Sequence, residues 1–172
     1  MFCYQCEETV KGTGCTVKGV CGKDEEIAAY QDVLVYLCKG ISVRNLAAME
    51  RGEGNPDAGL FIADALFATL TNVNFDRDRF MAMIDSAVAI RDALPNTAGT
   101  EPDACTWKPK GEKDILGKAS TVGILSTGNE DVRSLRSTLL FGLKGIAAYY
   151  THAAVLGRTD AVITTFIQEG LA

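Results

Sequence analysis

The sequence predicts an all-α fold, in which a three-helix bundle is followed by a related but incomplete second bundle. Apolar residues recur at steps of three and four over several long segments, which is the period of an amphipathic helix. β-Branched residues occur only in short and isolated runs, so no sheet is expected. A cysteine-rich loop at residues 1–24 precedes both bundles.

This N-terminal loop holds four of the six cysteines, with the spacing C-x2-C-x8-C-x5-C. They are Cys3, Cys6, Cys15 and Cys21. A C-x-x-C pair lets two thiolates converge on one metal centre, and the later cysteines can reach its other side through a glycine-rich loop that begins at Lys11. Backbone N–H groups of such a loop can point at sulfur and help to set a reduction potential. The spacing therefore predicts a four-thiolate metal site.

The spacing alone leaves the metal open. Four thiolates suit a [4Fe–4S] or a [2Fe–2S] cluster, and they also suit zinc. Common zinc sites repeat a short C-x2-C knuckle, which this sequence does not do. An iron–sulfur cluster is therefore the first prediction, with zinc or a set of inert or disulfide-bonded cysteines as the alternatives. We see no export signal and expect a cytoplasmic chain, where thiols stay reduced.

Three helices are predicted over residues 25–94. The first begins near Glu25, and Asn55 is suited to cap the second because Pro56 then occupies the first helical position. Asn72 is expected to lie in the segment that ends the second helix. The first helix has its apolar residues at Ile27, Tyr30, Val33, Leu34, Leu37, Ile41 and Leu46.

A connector is predicted over residues 95–119, where prolines and glycines lie among polar residues. Cys105 and Trp107 interrupt this polarity, and we expect them to anchor the connector against a helix face. Helical periodicity returns from Asn129 and again from Asp160. These two segments form the second, incomplete bundle over residues 120–172.

An internal repeat relates the two bundles. Segment 34–41 resembles segment 139–146 at an offset of 105 residues, and the same offset places residues 61–62 on 166–167. On this register the third helix of the second unit would begin beyond Ala172. We therefore expect an exposed apolar stripe, covered by another chain, by missing domains or by a second copy. The stripe would comprise Leu139, Leu143, Ile146, Phe166 and Ile167.

Composition and charge restrict the partners further. Hydrophobic residues make up 47% of the chain, which is enough for a packed core. The net charge is −5 and no basic run occurs, so nucleic acid is not an expected partner. No apolar window is long enough for a membrane span. We interpret Cys38 as a buried core residue, Cys105 as a packed or free thiol, and His152 as a structural or capping residue.

At the cysteine motif the sequence resembles the hybrid cluster protein (prismane protein, hydroxylamine reductase) family. The resemblance rests on residues 1–9 (MFCYQCEET), 11–16 (KGTGCT), 19–22 (GVCG), 31–32 (QD), 39–42 (KGIS), 66–75 (LFATLTNVNF) and 144–149 (KGIAAY). It covers essentially the whole chain.

The resemblance implies a helical domain of two three-helix bundles and a proximal iron–sulfur cluster. Its ligands would be Cys3, Cys6, Cys15 and Cys21. The compact spacing is similar to that of the strict-anaerobe class, whose cluster is [4Fe–4S], whereas other spacings carry [2Fe–2S]. Family members are much longer, and their additional α/β domains hold the mixed iron–sulfur–oxygen cluster that reduces hydroxylamine or nitric oxide.

The ligand set of that second cluster is missing from this chain. In the family that set is a histidine, glutamates and several cysteines. Beyond the proximal cysteines, the cysteines and histidine that remain here are Cys38, Cys105 and His152, which are too few, and none matches the family's hybrid-cluster motifs. We therefore assign no catalytic residue and expect an electron-transfer module that does not catalyse alone. A zinc-stabilised helical binding module and a free-standing ferredoxin-like carrier are the alternatives. A redox donor protein and the missing catalytic domains are the expected partners.

Overall fold

The computed structural model describes residues 1–6 and 12–172. The start of the predicted loop at Lys11, and residues 7–9 of the resemblance motif, lie outside the described residues. Within the described part, helices and no strand are found, which confirms the predicted all-α class. The helices are α1 (Glu25–Met49), α2 (Pro56–Ala68), α3 (Arg77–Ala93), α4 (Asp103–Thr106), α5 (Glu112–Val122), α6 (Glu130–Val155) and α7 (Ala161–Leu171), with a 3-10 turn at Ile124–Ser126.

Side-chain caps fix where the helices begin. Asn55 caps α2 by accepting a hydrogen bond from the backbone of Asp57, and Pro56 is the first helical residue, as predicted. Asn129 caps α6 and Asp160 caps α7 in the same way, which confirms both predicted starts. Asn72 has a φ of 62°, a conformation that asparagine tolerates well, so α2 cannot continue through it.

Helix α1 lies at the centre of the fold and packs against α2, α3, α4, α5 and α7. It is therefore apolar on several faces, and Tyr30, Leu34 and Leu37 are fully buried. One core runs from α1 through Ile84 of α3 to Ala147 of α6. The two predicted bundles thus share a core.

This shared core corrects part of the predicted apolar stripe. Leu143 and Ile167 are buried, because α6 and α7 pack against α2 and α1 of the first bundle. Leu139, Ile146 and Phe166 stay exposed, as predicted. The repeat compares the second unit with the first in isolation, so it could not show that the first unit covers one side of the second.

The connector contains more structure than the sequence indicates. Helices α4 and α5 both begin between residues 95 and 119, where no helix was predicted. The predicted anchors are confirmed: Cys105 is fully buried, and Trp107 packs edge-on against Tyr36 of α1 at 6.2 Å between ring centroids. Among the described residues, no helix combines the length and apolar character that crossing a membrane would need.

Candidate metal centre

A short backbone pairing brings the first and third cysteines together. The Cys15 N–H donates to the Cys3 carbonyl at 2.7 Å, and the Phe2 N–H donates to the Cys15 carbonyl at 2.8 Å. Gly14, just before Cys15, has a φ of +77°, and a Cβ on it would lie 2.9 Å from the Cys3 carbonyl oxygen. Only glycine fits this close approach without strain.

A second tight turn surrounds Cys21. The Gly22 N–H donates to the Gly19 carbonyl at 2.9 Å, and the Gly19 N–H donates to the Lys23 carbonyl at 2.6 Å. A Cβ on Gly19 would lie 2.6 Å from that Lys23 oxygen, and Gly22 has a φ of +99°. The glycines therefore let the backbone fold closely around the fourth cysteine.

All four predicted ligands carry free thiols. Cys15 is buried, whereas Cys3, Cys6 and Cys21 are partly exposed. Across residues 1–6 and 12–172, no three His, Cys, Asp or Glu side chains are close enough to hold a metal ion. The structure thus brings the backbones of Cys3 and Cys15 together. The four-thiolate site stays a prediction. Four free thiols on a loop whose glycines permit close backbone turns are nevertheless the kind of ligands that hold an iron–sulfur cluster or another thiolate-bound metal.

The two residues inside the C-x-x-C turn are held by α6. The Tyr4 hydroxyl lies 2.6 Å from Ser137 Oγ, and its ring packs edge-on against Phe141 at 6.1 Å between centroids. The Lys144 ammonium donates to Gln5 Oε1 at 3.0 Å. Ser137, Phe141 and Lys144 follow one another at steps of four and three, so a single face of α6 positions the cysteine turn.

Gln31 of α1 joins the turn to Lys23. Its Oε1 accepts from Lys23 Nζ at 2.5 Å and from Gln5 Nε2 at 3.4 Å. The Lys23 side chain is almost completely buried. Gln31 is buried as well, and its Nε2 has no hydrogen-bond partner in the described part of the chain. A buried N–H donor therefore remains unsatisfied beside the cysteine loop.

Electrostatic interactions around Lys144 are unbalanced. Burial and the neighbouring charge of Lys23 lower the pKa of Lys144 to about 7, against the opposing effects of Asp32 and Cys3. Burial raises the pKa of Asp32 to about 6, although Lys144, Lys23 and Lys39 act in the opposite direction. Three lysines thus act on one carboxyl group that is itself partly desolvated.

The comparisons with known proteins agree with the resemblance seen in the sequence. The sequence model of the Prismane/CO dehydrogenase family matches residues 1–172. A hydroxylamine reductase of Desulfitobacterium hafniense is 48% identical over 180 residues, which cover 100% of this chain and 33% of the relative. Hydroxylamine reductases of Halothermothrix orenii (47% identical) and Nitratidesulfovibrio vulgaris (46%) match 99% and 100% of this chain and 33% of their own lengths.

The chain belongs to the Prismane/CO dehydrogenase family. It spans about a third of the length of the curated relatives it matches. Membership confirms the resemblance stated for residues of the cysteine motif and of the helices.

The remaining cysteines and the histidine of this Prismane/CO dehydrogenase family member lie in the helical body. Cys38 is fully buried in the core, as predicted, and burial raises the pKa of its thiol to about 12. Burial also raises the pKa of Cys105, whose Sγ lies 3.6 Å from the Gly40 carbonyl. His152 is in the last turn of α6 and packs edge-on against Phe67 at 5.2 Å between centroids.

The sequence did not predict that Lys23, Gln31 and Lys144 are buried together beside the C-x-x-C turn. A signal was present, because Lys144 and Gln31 lie at positions of amphipathic patterns that face the interior. Such a polar residue needs a partner when it is buried. The sequence could not indicate that the partner is the cysteine loop, since Gln5 and Lys144 are 139 residues apart.

Proposed function

We propose that this chain is an electron-transfer module that binds an iron–sulfur cluster, of the [4Fe–4S] type, through Cys3, Cys6, Cys15 and Cys21. The observation that carries the proposal is the set of four free thiols on a loop whose glycines permit close backbone turns. Relatives named hydroxylamine reductase match the entire chain, which supports a redox role. Reduced thiols are typical of the cytoplasm, where we propose the protein works.

When bound, the cluster would supply one-electron transfer, and the residues of this chain would hold it and control its surroundings. The four cysteines would ligate iron as thiolates. Backbone N–H groups of the glycine-rich loop are available to hydrogen-bond to sulfur. Tyr4 and Gln5 fix the C-x-x-C turn on α6, which keeps two ligands in a defined orientation.

Reduction of hydroxylamine is, in this proposal, the activity of a larger assembly to which the chain passes electrons. The chain spans only a third of relatives that carry that name. Cys38, Cys105 and His152 are held in separate contacts, and within residues 1–6 and 12–172 they form no second ligand set. With hydroxylamine and a reduced viologen dye, the loaded chain should therefore show no turnover above a dye-only control.

The exposed face of α6 is the proposed docking surface for the rest of that assembly. This face, the α6 stripe, comprises Leu135, Leu139, Gly142, Gly145, Ile146 and Tyr149. In the first unit, a Cβ on Gly40 would meet the Ala104 backbone, whereas at the repeat-related Gly145 it would meet nothing within 4 Å. Gly40 thus allows the α4 backbone to pack against α1, whereas no backbone packs at Gly145 within the described residues. We propose that the polypeptide forming the other two-thirds of the relatives covers this position.

The test of the cluster is anaerobic reconstitution of the 172-residue chain with iron and sulfide. We expect a brown protein with four iron and four sulfide per chain for a [4Fe–4S] cluster. Cys3→Ser and Cys21→Ser should each abolish the visible absorption, because each removes a thiolate ligand. Cys38→Ser is the matched control, and it should leave the absorption unchanged because Cys38 is buried in the core.

Zinc is the alternative that this experiment separates. A colourless protein that holds one zinc per chain and refuses iron would contradict the proposed cluster and support a structural zinc site. Loss of colour in Cys38→Ser would show that the assigned ligand set is wrong. Turnover of hydroxylamine by the 172-residue chain alone would contradict its role as a relay.

A further inference from the structure

We propose that Lys144 and Lys23 form a buried cationic pair that balances the charge of the bound cluster and raises its reduction potential. The inference rests on the proposed function, because it concerns the group that Cys3, Cys6, Cys15 and Cys21 would hold. It assigns a role to side chains of α6 and of the loop end that touch no metal themselves. They are positioning residues that act on the cluster through charge.

The first observation is the burial of two amines beside each other. Lys23 and Lys144 are only 1% and 3% exposed, and burial together with the charge of Lys23 lowers the pKa of Lys144. The carboxyl group that acts on both amines is that of Asp32, which is also influenced by Lys39, so three lysines face one carboxyl group. Burying an unbalanced charge costs several kcal/mol unless an anion compensates it. The described residues thus have an excess of positive charge at this point.

The second observation ties this excess to the cysteine loop. Lys144 donates to Gln5, which lies between Cys3 and Cys6 in the C-x-x-C turn. Lys23 follows Cys21 by two residues and donates to Gln31. Gln5 also donates to Gln31, so one hydrogen-bonded chain joins both amines to the ligand-bearing segments. Gln31 Nε2 adds an unsatisfied buried donor in the same place, within the described residues.

A four-thiolate iron–sulfur cluster supplies the missing anion. A [4Fe–4S]²⁺ core with four thiolates carries a net charge of about −2, and one-electron reduction adds a further negative charge. Nearby ammonium groups stabilise both forms, and they stabilise the reduced form more. Because the interior screens charges weakly, the pair should raise the reduction potential of the cluster.

A purely structural role explains these residues less well. The segment of α6 around Lys144 is otherwise apolar, and an apolar side chain would fill the core without a charge penalty. A structural hydrogen bond to Gln5 also needs no charge. Charge balance therefore accounts for a feature that packing leaves unexplained.

The decisive variant is Lys144→Met, which removes the charge and keeps most of the side-chain length. We expect the loaded variant to have a lower midpoint potential than wild type in a redox titration followed by visible absorption and EPR. Lys118→Met is the matched control, because Lys118 pairs with Asp103 and lies over Tyr36 and Trp107, away from the cysteine loop. The potential of that variant should equal that of wild type.

A second measurement covers the case in which Lys144→Met does not bind the cluster. Without iron and sulfide, Lys144→Met should unfold at a higher denaturant concentration than wild type, because an unbalanced buried charge has been removed. A cluster-free variant that unfolds at a lower concentration, or a loaded variant with unchanged potential, would overturn the inference. A wild-type chain that binds no cluster would instead refute the proposed function.

Discussion

At the residue scale, two buried arginines hold the connector on the helical body. Arg91 is fully buried, and its guanidinium donates to the carbonyls of Ala104 and Trp107 at 3.1 and 2.7 Å. Arg44 of α1 donates to both carboxylate oxygens of Glu101, at 2.9 and 2.6 Å. Such bidentate pairs combine charge with a fixed geometry. The polar connector therefore gains order from ionic contacts.

Glu101→Gln tests the importance of this pair for stability. The Glu101 side chain is 9% exposed and that of Arg44 is 8% exposed, so the substitution leaves the buried Arg44 guanidinium without its counter-charge. We expect the free energy of unfolding at pH 7 to fall by about 3 kcal/mol. Denaturant titration monitored by circular dichroism measures this change. Glu53→Gln, which removes an exposed pair with Arg51, is the control and should have almost no effect.

The pH dependence of this difference follows from the direction of the pKa shift. Arg44 lowers the pKa of Glu101 below its usual 4.5. Folding therefore favours ionised Glu101, and the pair contributes its full stability above pH 4.5. The difference between wild type and Glu101→Gln should shrink as the pH falls through the lowered pKa. A difference that stays constant down to pH 2 would contradict the assigned ion pair.

At the scale of single elements, two repeat-related glycines have opposite surroundings. A Cβ on Gly40 of α1 would lie 2.5 Å from the carbonyl carbon of Ala104, and closer still to its oxygen, whereas Gly145 of α6 has open space. Gly40→Ala should therefore destabilise the chain by about 1–3 kcal/mol, since α4 must move away. Gly145→Ala is the matched control and should stabilise it by about 0.5–1 kcal/mol.

Thermal or denaturant unfolding of both variants provides the comparison. Equal effects of the two substitutions would show that helix propensity, and not the contact with α4, determines the outcome. A stabilised Gly40→Ala would show that the connector does not pack closely on α1. The contrast also bears on docking, because Gly145→Ala leaves this isolated chain unharmed while filling the space on the α6 stripe.

The elements differ in how well the sequence predicts them. Starts governed by neighbouring residues, such as Asn55 with Pro56 and Asn129 before α6, are local and were predicted correctly. Helix α5 was missed because prolines and glycines surround it and Gly117 lies inside it, and these residues have low helix propensity. Its packing against α1 is a long-range contact that the local sequence does not show.

In the candidate site, too, local features could be predicted from the sequence and long-range contacts could not. Spacing and glycines identify the cysteine loop, because the four residues lie close together in the chain. The cationic pair and the α6 face behind the loop depend on contacts between distant segments, as in the bond of Gln5 to Lys144. No local sequence pattern indicates that Gln5 and Lys144 are in contact, so this contact could be found only in the folded structure.

At the scale of the whole molecule, one core joins the helices on both sides of the connector. Helix α2 packs against both α6 and α7, and Leu143 and Ile167 reach the same core as Leu34 and Leu66. The second unit thus uses one side of α6 to pack on the first unit and to hold the cysteine turn. Its other side is the α6 stripe, which stays exposed in this chain.

Tyr149→Lys tests the proposed partner of that stripe. Tyr149 is 84% exposed, so the substitution should not change the stability of the chain itself. When the chain is mixed with the separately produced remaining two-thirds of the Desulfitobacterium hafniense reductase, we expect a complex in analytical ultracentrifugation. The variant should bind about 30-fold more weakly, because aromatic residues at the centre of an interface each contribute about 2 kcal/mol.

Val73→Lys, an exposed apolar position outside the stripe, is the control and should bind like wild type. Equal binding by Tyr149→Lys, or a complex made only of copies of the chain, would show that the stripe has another occupant.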